Sequence, residues 1–173
     1  MAIKKILTEP DPFLRQKSHE VDKVDNETRK LMDDMLDTMY AAPGIGLAAI
    51  QIGVPKRIIV IDLSKEEVKK PLYFVNPKII LKSDNKSTYE EGCLSVPGQF
   101  AEIDRPDQCH LTYLDYSGQQ QELKTEGLLA TCIQHEIDHL EGILFIDYLS
   151  KLKKSFIVKK LSKQKKSLER IVV

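Results

Sequence analysis

The chain of 173 residues contains 42% hydrophobic and 30% charged residues, a composition typical of a soluble globular protein, and we expect one domain over residues 1–173. No apolar run approaches the about 18 residues of a membrane helix, and MAIKKILTEPDPF has no signal-peptide core, so we expect a cytoplasmic protein without a membrane partner. Three cysteines without regular spacing argue against a disulfide framework.

The net charge of zero conceals a separation of charge along the chain. Residues 151–170 contain nine basic residues, eight lysines and Arg170, and a single acid, Glu169. The first 150 residues therefore hold 17 basic and 25 acidic residues. A basic segment after an acidic body is suited to a polyanionic partner, although a solvated helix face is the commoner cause of such a charge run.

The first predicted element is a helix. Asp25 is suited to cap it, and apolar residues recur at helical spacing from Leu31 to about Tyr40. The segment 41–55 is rich in glycine and proline, and it predicts a loop with a short apolar turn inside it.

Strand-like runs follow, and they lie at 57–63, 72–81, around 90–98, and at 109–116 paired with 119–127 as a hairpin. Helical patterns return from about Gly127 to Glu141 and again over about 150–170. We therefore predict an α+β fold, with mostly antiparallel strands around a central helix, an N-terminal helix and a basic C-terminal helix.

The segment TCIQHEIDHLEGI predicts a metal site on the central helix. His135 and His139 lie one helical turn apart on one face, so both imidazoles can reach one ion. Glu136 projects about 100° away, near enough to contact water at that ion. The alternative is chance, because pairs of polar residues four apart occur on many solvated helices.

Two imidazoles do not complete the site, and the residues alone leave the third ligand open. Phe145 stands where one class of metallopeptidase has its third histidine, and few acids follow the helix. Cys132 lies about 10 Å along the helix axis from His139, and Cys109 falls in a strand-like run typical of a buried thiol. Cys93, after Gly92, lies where the backbone can approach a site closely, although such a cysteine is more often structural.

Three segments together resemble the peptide deformylase family: GIGLAAIQIG at 44–53, EGCLSVP at 91–97 and QHEIDHLEG at 134–142. They match the signature motifs of that family in order and spacing, and the opening ILTEPDPFLRQKSHEV is also similar to its N-terminus. The resemblance covers roughly residues 3–150. It implies removal of the N-formyl group from the formylmethionine of newly made polypeptides.

The resemblance also implies roles for individual residues. The metal ligands are Cys93, His135 and His139, with a fourth position open for water and Fe(II) as the native ion, for which Zn(II), Ni(II) or Co(II) can substitute. Glu136 is the general base, while the Gln51 side-chain amide and the Leu94 backbone N–H stabilise the oxyanion.

For the substrate, the resemblance implies that the loop containing Gly44 and Gly46 runs beside the peptide. The methionine side chain then meets a pocket lined by Ile45, Cys132 and apolar residues near Leu128. Glu91 is expected to pair with Arg105. Phe100 departs from the family pattern, in which many bacterial relatives carry a basic or polar residue, so substrate contacts there are expected to differ.

The expected partners are nascent formyl-Met polypeptides and the ribosome, reached through the basic C-terminal helix, with no DNA and no second subunit. Leu152, Phe156 and Leu161 are predicted to hold that helix to the body. Two other functions remain open from the residues: a small zinc peptidase that cuts internal peptide bonds, and a structural metal domain with a nucleic-acid-binding tail. The first needs another third ligand, and the second needs a fourth.

Overall fold

The structure, a computed structural model, describes residues 2–65 and 67–171, with side chains described to residue 169. The α-helices are α1 (Asn26–Ala41), α2 (Gly127–Leu140) and α3 (Lys151–Ile171). The strands are β1 (Gly46–Ala48), β2 (Ile58–Ile61), β3 (Leu72–Lys82), β4 (Lys86–Cys93), β5 (Val96–Pro106), β6 (Gln108–Leu114) and β7 (Gln120–Glu126). Short 3-10 helices cover Pro12–Arg15, Ala49–Ile52 and Phe145–Tyr148.

The strands form two antiparallel sheets. One has five strands in the order β1-β2-β3-β6-β7, and the other is the β4-β5 hairpin. This architecture confirms the predicted α+β fold and the predicted hairpin of β6 with β7. Across the part of the chain that the structure describes, no helix is both long and apolar enough to span a bilayer.

Helix α1 begins as the sequence predicts. The Asp25 side chain accepts a hydrogen bond from the Thr28 backbone N–H, which satisfies one of the free donors at the helix start. Met32, Met35 and Met39 are fully buried against an apolar cluster that includes residues of β1 and β2. The predicted loop over 41–55 does contain a short apolar turn, the 3-10 helix Ala49–Ile52, but Gly46–Ala48 within it is a strand that pairs with β2.

Helix α2 is the centre of the molecule. Its apolar residues Ala130, Ile133 and Leu140 pack into a cluster with residues of β2, β3 and β6. Its polar residues His135, Glu136 and His139 are buried as well. Buried polar groups are costly unless they find partners, so these residues point to a site rather than to a solvated helix face.

The prediction for α3 is wrong in two of three residues. Leu161 is buried, but Leu152 and Phe156 are 68% and 66% exposed. At 100° per residue, Leu161 lies about 180° around the helix from Leu152, so one face cannot bury both. The helix instead packs through Ile157, Val158 and Leu161 on a cluster that includes residues of β5 and of the 3-10 helix Phe145–Tyr148.

Candidate active site

Cys93, His135 and His139 come together as one group. Their ligand atoms all lie within 4.8 Å of one another, and Cys93 Sγ is 3.3 Å from His139 Nε2. The turn of α2 brings the two histidines together, while the end of β4 delivers the cysteine. Among the described residues, this is the group that geometry selects for a metal, and Cys109 and Cys132 do not belong to it. The group has three ligands among the described residues, whereas a structural metal domain needs four.

Glu91 orients the first histidine. Its Oε1 lies 2.7 Å from His135 Nδ1, and a carboxylate only accepts, so Nδ1 carries the proton and Nε2 is left with its lone pair. The predicted pair with Arg105 is confirmed, with Nε 2.7 Å and Nη2 3.0 Å from the carboxylate. Burial alone would raise the pKa of Glu91, but hydrogen bonds from His135 and Arg105 hold it below its usual value.

These donors fit a divalent ion. A thiolate with two imidazoles suits Fe(II), Zn(II), Co(II) or Ni(II), and three protein ligands leave a coordination position open. The carboxylate behind His135 is the usual outer partner of a metal-binding histidine. The group therefore has the chemistry of a catalytic metal site.

Glu136 is a buried carboxyl group beside these residues. It is 5% exposed, and its Oε2 has no hydrogen-bond partner in the part of the chain that the structure describes. Burial raises the pKa of Glu136 to about 7. A carboxyl group with such a pKa can both take up and release a proton near neutral pH.

Gln51 is held in one orientation. Its Oε1 accepts from the Ala48 N–H at 2.9 Å, and its Nε2 donates to Ser95 Oγ at 3.0 Å and lies 3.6 Å from Cys93 Sγ. The amide donor is thereby aimed at the ligand group. Ser95, which is fully buried, is missing from the sequence-based site. Its position two residues after Cys93 in the second motif is the signal that could have identified it.

A cavity of about 440 Å³ opens in front of these groups. Its lining includes every predicted catalytic and substrate-binding residue: Gly44, Ile45, Gly46, Gln51, Leu94, Cys132 and Glu136. Of the ligands, Cys93 and His135 line it, whereas His139 lies deeper. A larger groove of about 840 Å³ lies beside Lys17 and Arg57, but none of the proposed metal ligands lines it. The smaller cavity is therefore the candidate active site.

Two glycines let the start of β1 and the loop before it approach the site. A Cβ on Gly46 would overlap Glu136 Oε1, and one on Gly44 would lie 2.6 Å from Leu94 Cδ1. Side chains at these positions would displace the residues that the site needs. Nearby, the half-exposed Ile45 and Leu128 give the cavity an apolar wall, and Phe100 at its rim is 66% exposed.

Sequence analysis also misses two residues behind the site. Asp138 Oδ2 accepts from Arg105 Nη1 at 2.8 Å and from the Tyr148 hydroxyl at 2.7 Å. The Arg105 guanidinium lies 4.9 Å from the centre of the Tyr148 ring. Asp138 could have been identified from its spacing, since a residue three after His135 shares its helix face.

Comparison with known proteins agrees with the geometry. Residues 3–155 match the family described as Polypeptide deformylase. The chain is 70% identical over 174 positions to a Peptide deformylase of Pelagibacter ubique, with 100% of both sequences covered. The crystal structure of peptide deformylase from Ehrlichia chaffeensis has a TM-score of 0.91 at 45% identity, covering 96% of this chain and 98% of that one. The same enzyme in complex with actinonin has a TM-score of 0.91 at 47% identity, covering 95% and 98%. This chain therefore belongs to the polypeptide deformylase family.

Proposed function

We propose that Cys93, His135 and His139 hold Fe(II), and that Glu136, Gln51 and Leu94 carry out deformylation. By its family, the chain is a hydrolase that removes the N-formyl group of nascent formylmethionyl peptides and releases formate. The observation that supports these roles is the position of an unpartnered buried carboxyl group, Glu136, in the same cavity as a three-ligand group.

The family and the ligand group support a divalent metal ion. Such an ion, when bound, would act as a Lewis acid and lower the pKa of water. The donor types are compatible with several of these ions and do not identify the native one, so Fe(II) is proposed on the family resemblance alone. Metal analysis of protein purified without oxygen tests this part of the proposal.

Glu136 is the proposed carrier of the proton. Its free Oε2 takes a proton from the attacking water, and the carboxyl group then delivers it to the amine nitrogen that leaves with methionine. The raised pKa of Glu136, about 7, suits a group that performs both transfers at neutral pH. Gly46 supports this role, because its missing side chain leaves room for the carboxyl group.

Gln51 and Leu94 are the proposed oxyanion donors. Attack on the formyl carbon puts negative charge on its oxygen, and donors oriented in advance stabilise that charge without further rearrangement. Ala48 and Ser95 already hold the Gln51 amide in place. The Leu94 backbone N–H adds a second donor in this proposal, from the short turn between β4 and β5.

The proposed substrate lies along the loop of Gly44, Ile45 and Gly46, with its methionine side chain against Leu128 and Cys132. The uncharged lining of this side of the cavity supports an apolar side chain there. Phe100, at the rim, offers an apolar surface rather than a charged one to the peptide beyond methionine. A site of this kind requires a small acyl group, because one more methyl group would crowd the ligand residues.

We place the reaction in the cytoplasm, in a single-domain monomer that docks on the ribosome through α3. One chain supplies every residue proposed for the site, which supports a monomer. The nine basic residues of 151–170 support docking on ribosomal RNA phosphates.

Formate release from a formyl-Met peptide tests the proposed function. Protein purified without oxygen and loaded with Fe(II) is expected to release formate, and protein stripped by a chelator is expected to release none. An acetyl-Met peptide of the same sequence serves as the matched substrate and is expected to react poorly. Equal rates on the two peptides would contradict the proposed small acyl site. Inhibition by actinonin, the ligand of the Ehrlichia chaffeensis relative, would link the activity to the cavity.

A further inference from the structure

The three ligand residues belong to two separate elements. Cys93 ends β4, whereas His135 and His139 lie on α2. The spacing of their ligand atoms therefore depends on how the β4-β5 hairpin packs against the helix. Function in a site of this kind tolerates displacements of only about 0.5 Å, so this packing has to be precise.

Three side-chain hydrogen bonds connect the hairpin to the helix, and one of them, from Gln134 Nε2 to the Pro106 carbonyl at 2.9 Å, lies apart from the Arg105 guanidinium. Glu91 of β4 bonds His135 at 2.7 Å, and Arg105 of β5 bonds Asp138 at 2.8 Å. Residues 135 and 138 share one helix face about 4.5 Å apart along the axis. Core packing and Gln134 fix the overall position of the helix, and the Glu91 and Arg105 bridges add restraint at the face that carries His135.

Arg105 joins the two bridges into one network. It is 3% exposed, and it presents Nε and Nη2 to Glu91 and Nη1 to Asp138. Because the guanidinium is planar and rigid, the bond to Asp138 also sets the plane in which the other two nitrogens meet Glu91. The orientation of Glu91, and with it that of the His135 ring, therefore depends on Asp138.

Tyr148 supports this network from outside. Its hydroxyl donates to Asp138 Oδ2, the oxygen that also accepts from Arg105, at 2.7 Å. Its ring lies over the guanidinium at 4.9 Å, an arrangement in which the ring face attracts a cation. Tyr148 thus restrains Asp138 and covers Arg105 from solvent.

We infer that Asp138 and Tyr148 are positioning residues of the metal site, which act through Arg105 to lock the helix of His135 and His139 against the hairpin of Cys93. The inference rests on the proposed ligands and extends to residues that touch neither metal nor substrate. Its consequence is that loss of the second bridge loosens the ligand geometry, so metal affinity falls even where the fold survives.

Asp138→Asn and Tyr148→Phe test the inference in the full chain. The readouts are the Co(II) dissociation constant by chelator competition and the visible absorption of the Co(II)-loaded protein, which reports coordination geometry. Asp138→Asn is expected to weaken Co(II) binding about tenfold, the low end for outer partners of metal ligands, and to shift the absorption bands. Tyr148→Phe keeps the ring and is expected to lose about threefold, as removal of one hydrogen bond implies.

Glu141→Gln is the matched control. It removes a 2.7 Å ion pair with Arg57 at the end of the same helix without touching Arg105. Its Co(II) affinity and spectrum are expected to equal those of the parent, even where its melting temperature falls.

Parent-like Co(II) affinity and spectra in both Asp138→Asn and Tyr148→Phe would overturn the inference, because the network would then stabilise only the fold. If Asp138→Asn does not fold, Tyr148→Phe still decides, since this residue is half-exposed. Cys93→Ser in the same assay separates failure of the proposed ligand set from failure of the positioning role. Unchanged affinity in Cys93→Ser refutes the proposed ligands, whereas a loss there with none in the other two variants refutes only the positioning role.

Discussion

The cavity has two walls of opposite character. One, the ligand wall, consists of Glu91, Cys93 and His135 at the cavity surface, with Arg105 and His139 behind them. The other, the peptide wall, consists of Gly44, Ile45, Gly46, Leu128 and Cys132. The ligand wall is polar and largely buried, and side-chain hydrogen bonds tie its charged groups together. The peptide wall has no charged residue, and Ile45 and Leu128 on it are half-exposed.

The difference follows from what each wall has to do. Removing one partner of a buried charged pair costs about 3–5 kcal/mol, so the ligand wall resists rearrangement and keeps its geometry. The peptide wall has to accept chains of many sequences, and apolar contacts are not directional. We therefore expect changes on the ligand wall to alter metal binding or turnover, and changes on the peptide wall to alter KM.

Cysteine to serine substitutions on the two walls give the largest expected contrast. Cys93→Ser should weaken metal binding by at least about 100-fold, because a serine hydroxyl does not ionise at neutral pH as a thiol bound to metal does. Cys132→Ser, the matched change on the peptide wall, should keep its metal. Metal content after dialysis against a chelator measures both. Equal retention would show that the thiolate is not a ligand.

Glu136→Ala separates proton transfer from metal binding. The variant should retain metal yet lose at least about 10²-fold in kcat, the lower end for a positioned acid–base group. Glu90→Ala, an exposed carboxylate at the same cavity, is the control and should turn over normally. Steady-state kinetics with a saturating formyl-Met peptide decides, and parent-like kcat in Glu136→Ala would rule out the assigned role.

Gln51→Ala tests the oxyanion donor at the edge of the ligand wall. Loss of one donor should lower kcat by about 10²-fold with a smaller change in KM, because the bond strengthens as charge develops. Metal content is the internal control, since Gln51 lies 3.6 Å from Cys93 Sγ and its removal must not release the ion. A change in KM alone would assign Gln51 to substrate binding instead.

Leu128→Ala tests the peptide wall itself. KM for formyl-Met peptides should rise about tenfold, as loss of part of an apolar pocket implies, while kcat and metal content stay near parental values. Leu81→Ala, which removes the same atoms from an exposed position on β3, should change nothing. If Leu128→Ala lowers kcat and leaves KM alone, the two walls do not divide chemistry from recognition.

The sequence predicts those features that depend on residues close together along the chain. The spacing of His135 and His139 becomes a shared helix face because helix geometry is local. Capping by Asp25 and the turn at Ser117-Gly118 are local for the same reason. The motif resemblance adds residues that spacing could not, above all Gln51 and Cys93.

The remainder depends on contacts between distant segments. Cys93 meets His139 only because the hairpin packs on α2, and the register shifts between Gly92 and Cys93 at that point. No periodicity in the sequence encodes this shift or the bond from Arg105 to Asp138. The face that α3 buries is also set by its partner, so the apolar stripe alone misplaces Leu152 and Phe156.

The basic helix α3 differs from both walls of the cavity. Its packing against the body limits how its role in ribosome docking can be tested. Leu161 packs in the cluster that contains Phe145, whose ring lies 6.2 Å from the His135 ring, and Cys93 packs against the same cluster. Lys154 also pairs with Asp147 at 2.6 Å. A truncation before Leu161 would therefore disturb the site and could not isolate the role of the tail.

Removing positive charges beyond Leu161 tests docking more directly than truncation does. Of the changes considered, it has the smallest expected effect on peptide turnover. Lys163, Lys165 and Lys166 are exposed, and changing all three to Gln retains good helix formers while it removes three charges. Turnover of short formyl-Met peptides should stay unchanged, because none of these residues lies at the cavity. Ribosome co-sedimentation should weaken, and its dependence on salt should become less steep, since fewer counterions are released from RNA phosphates. Parent-like binding with the parent salt dependence would leave α3 as a solvated helix that covers part of the core, and the proposed docking would have to be assigned elsewhere.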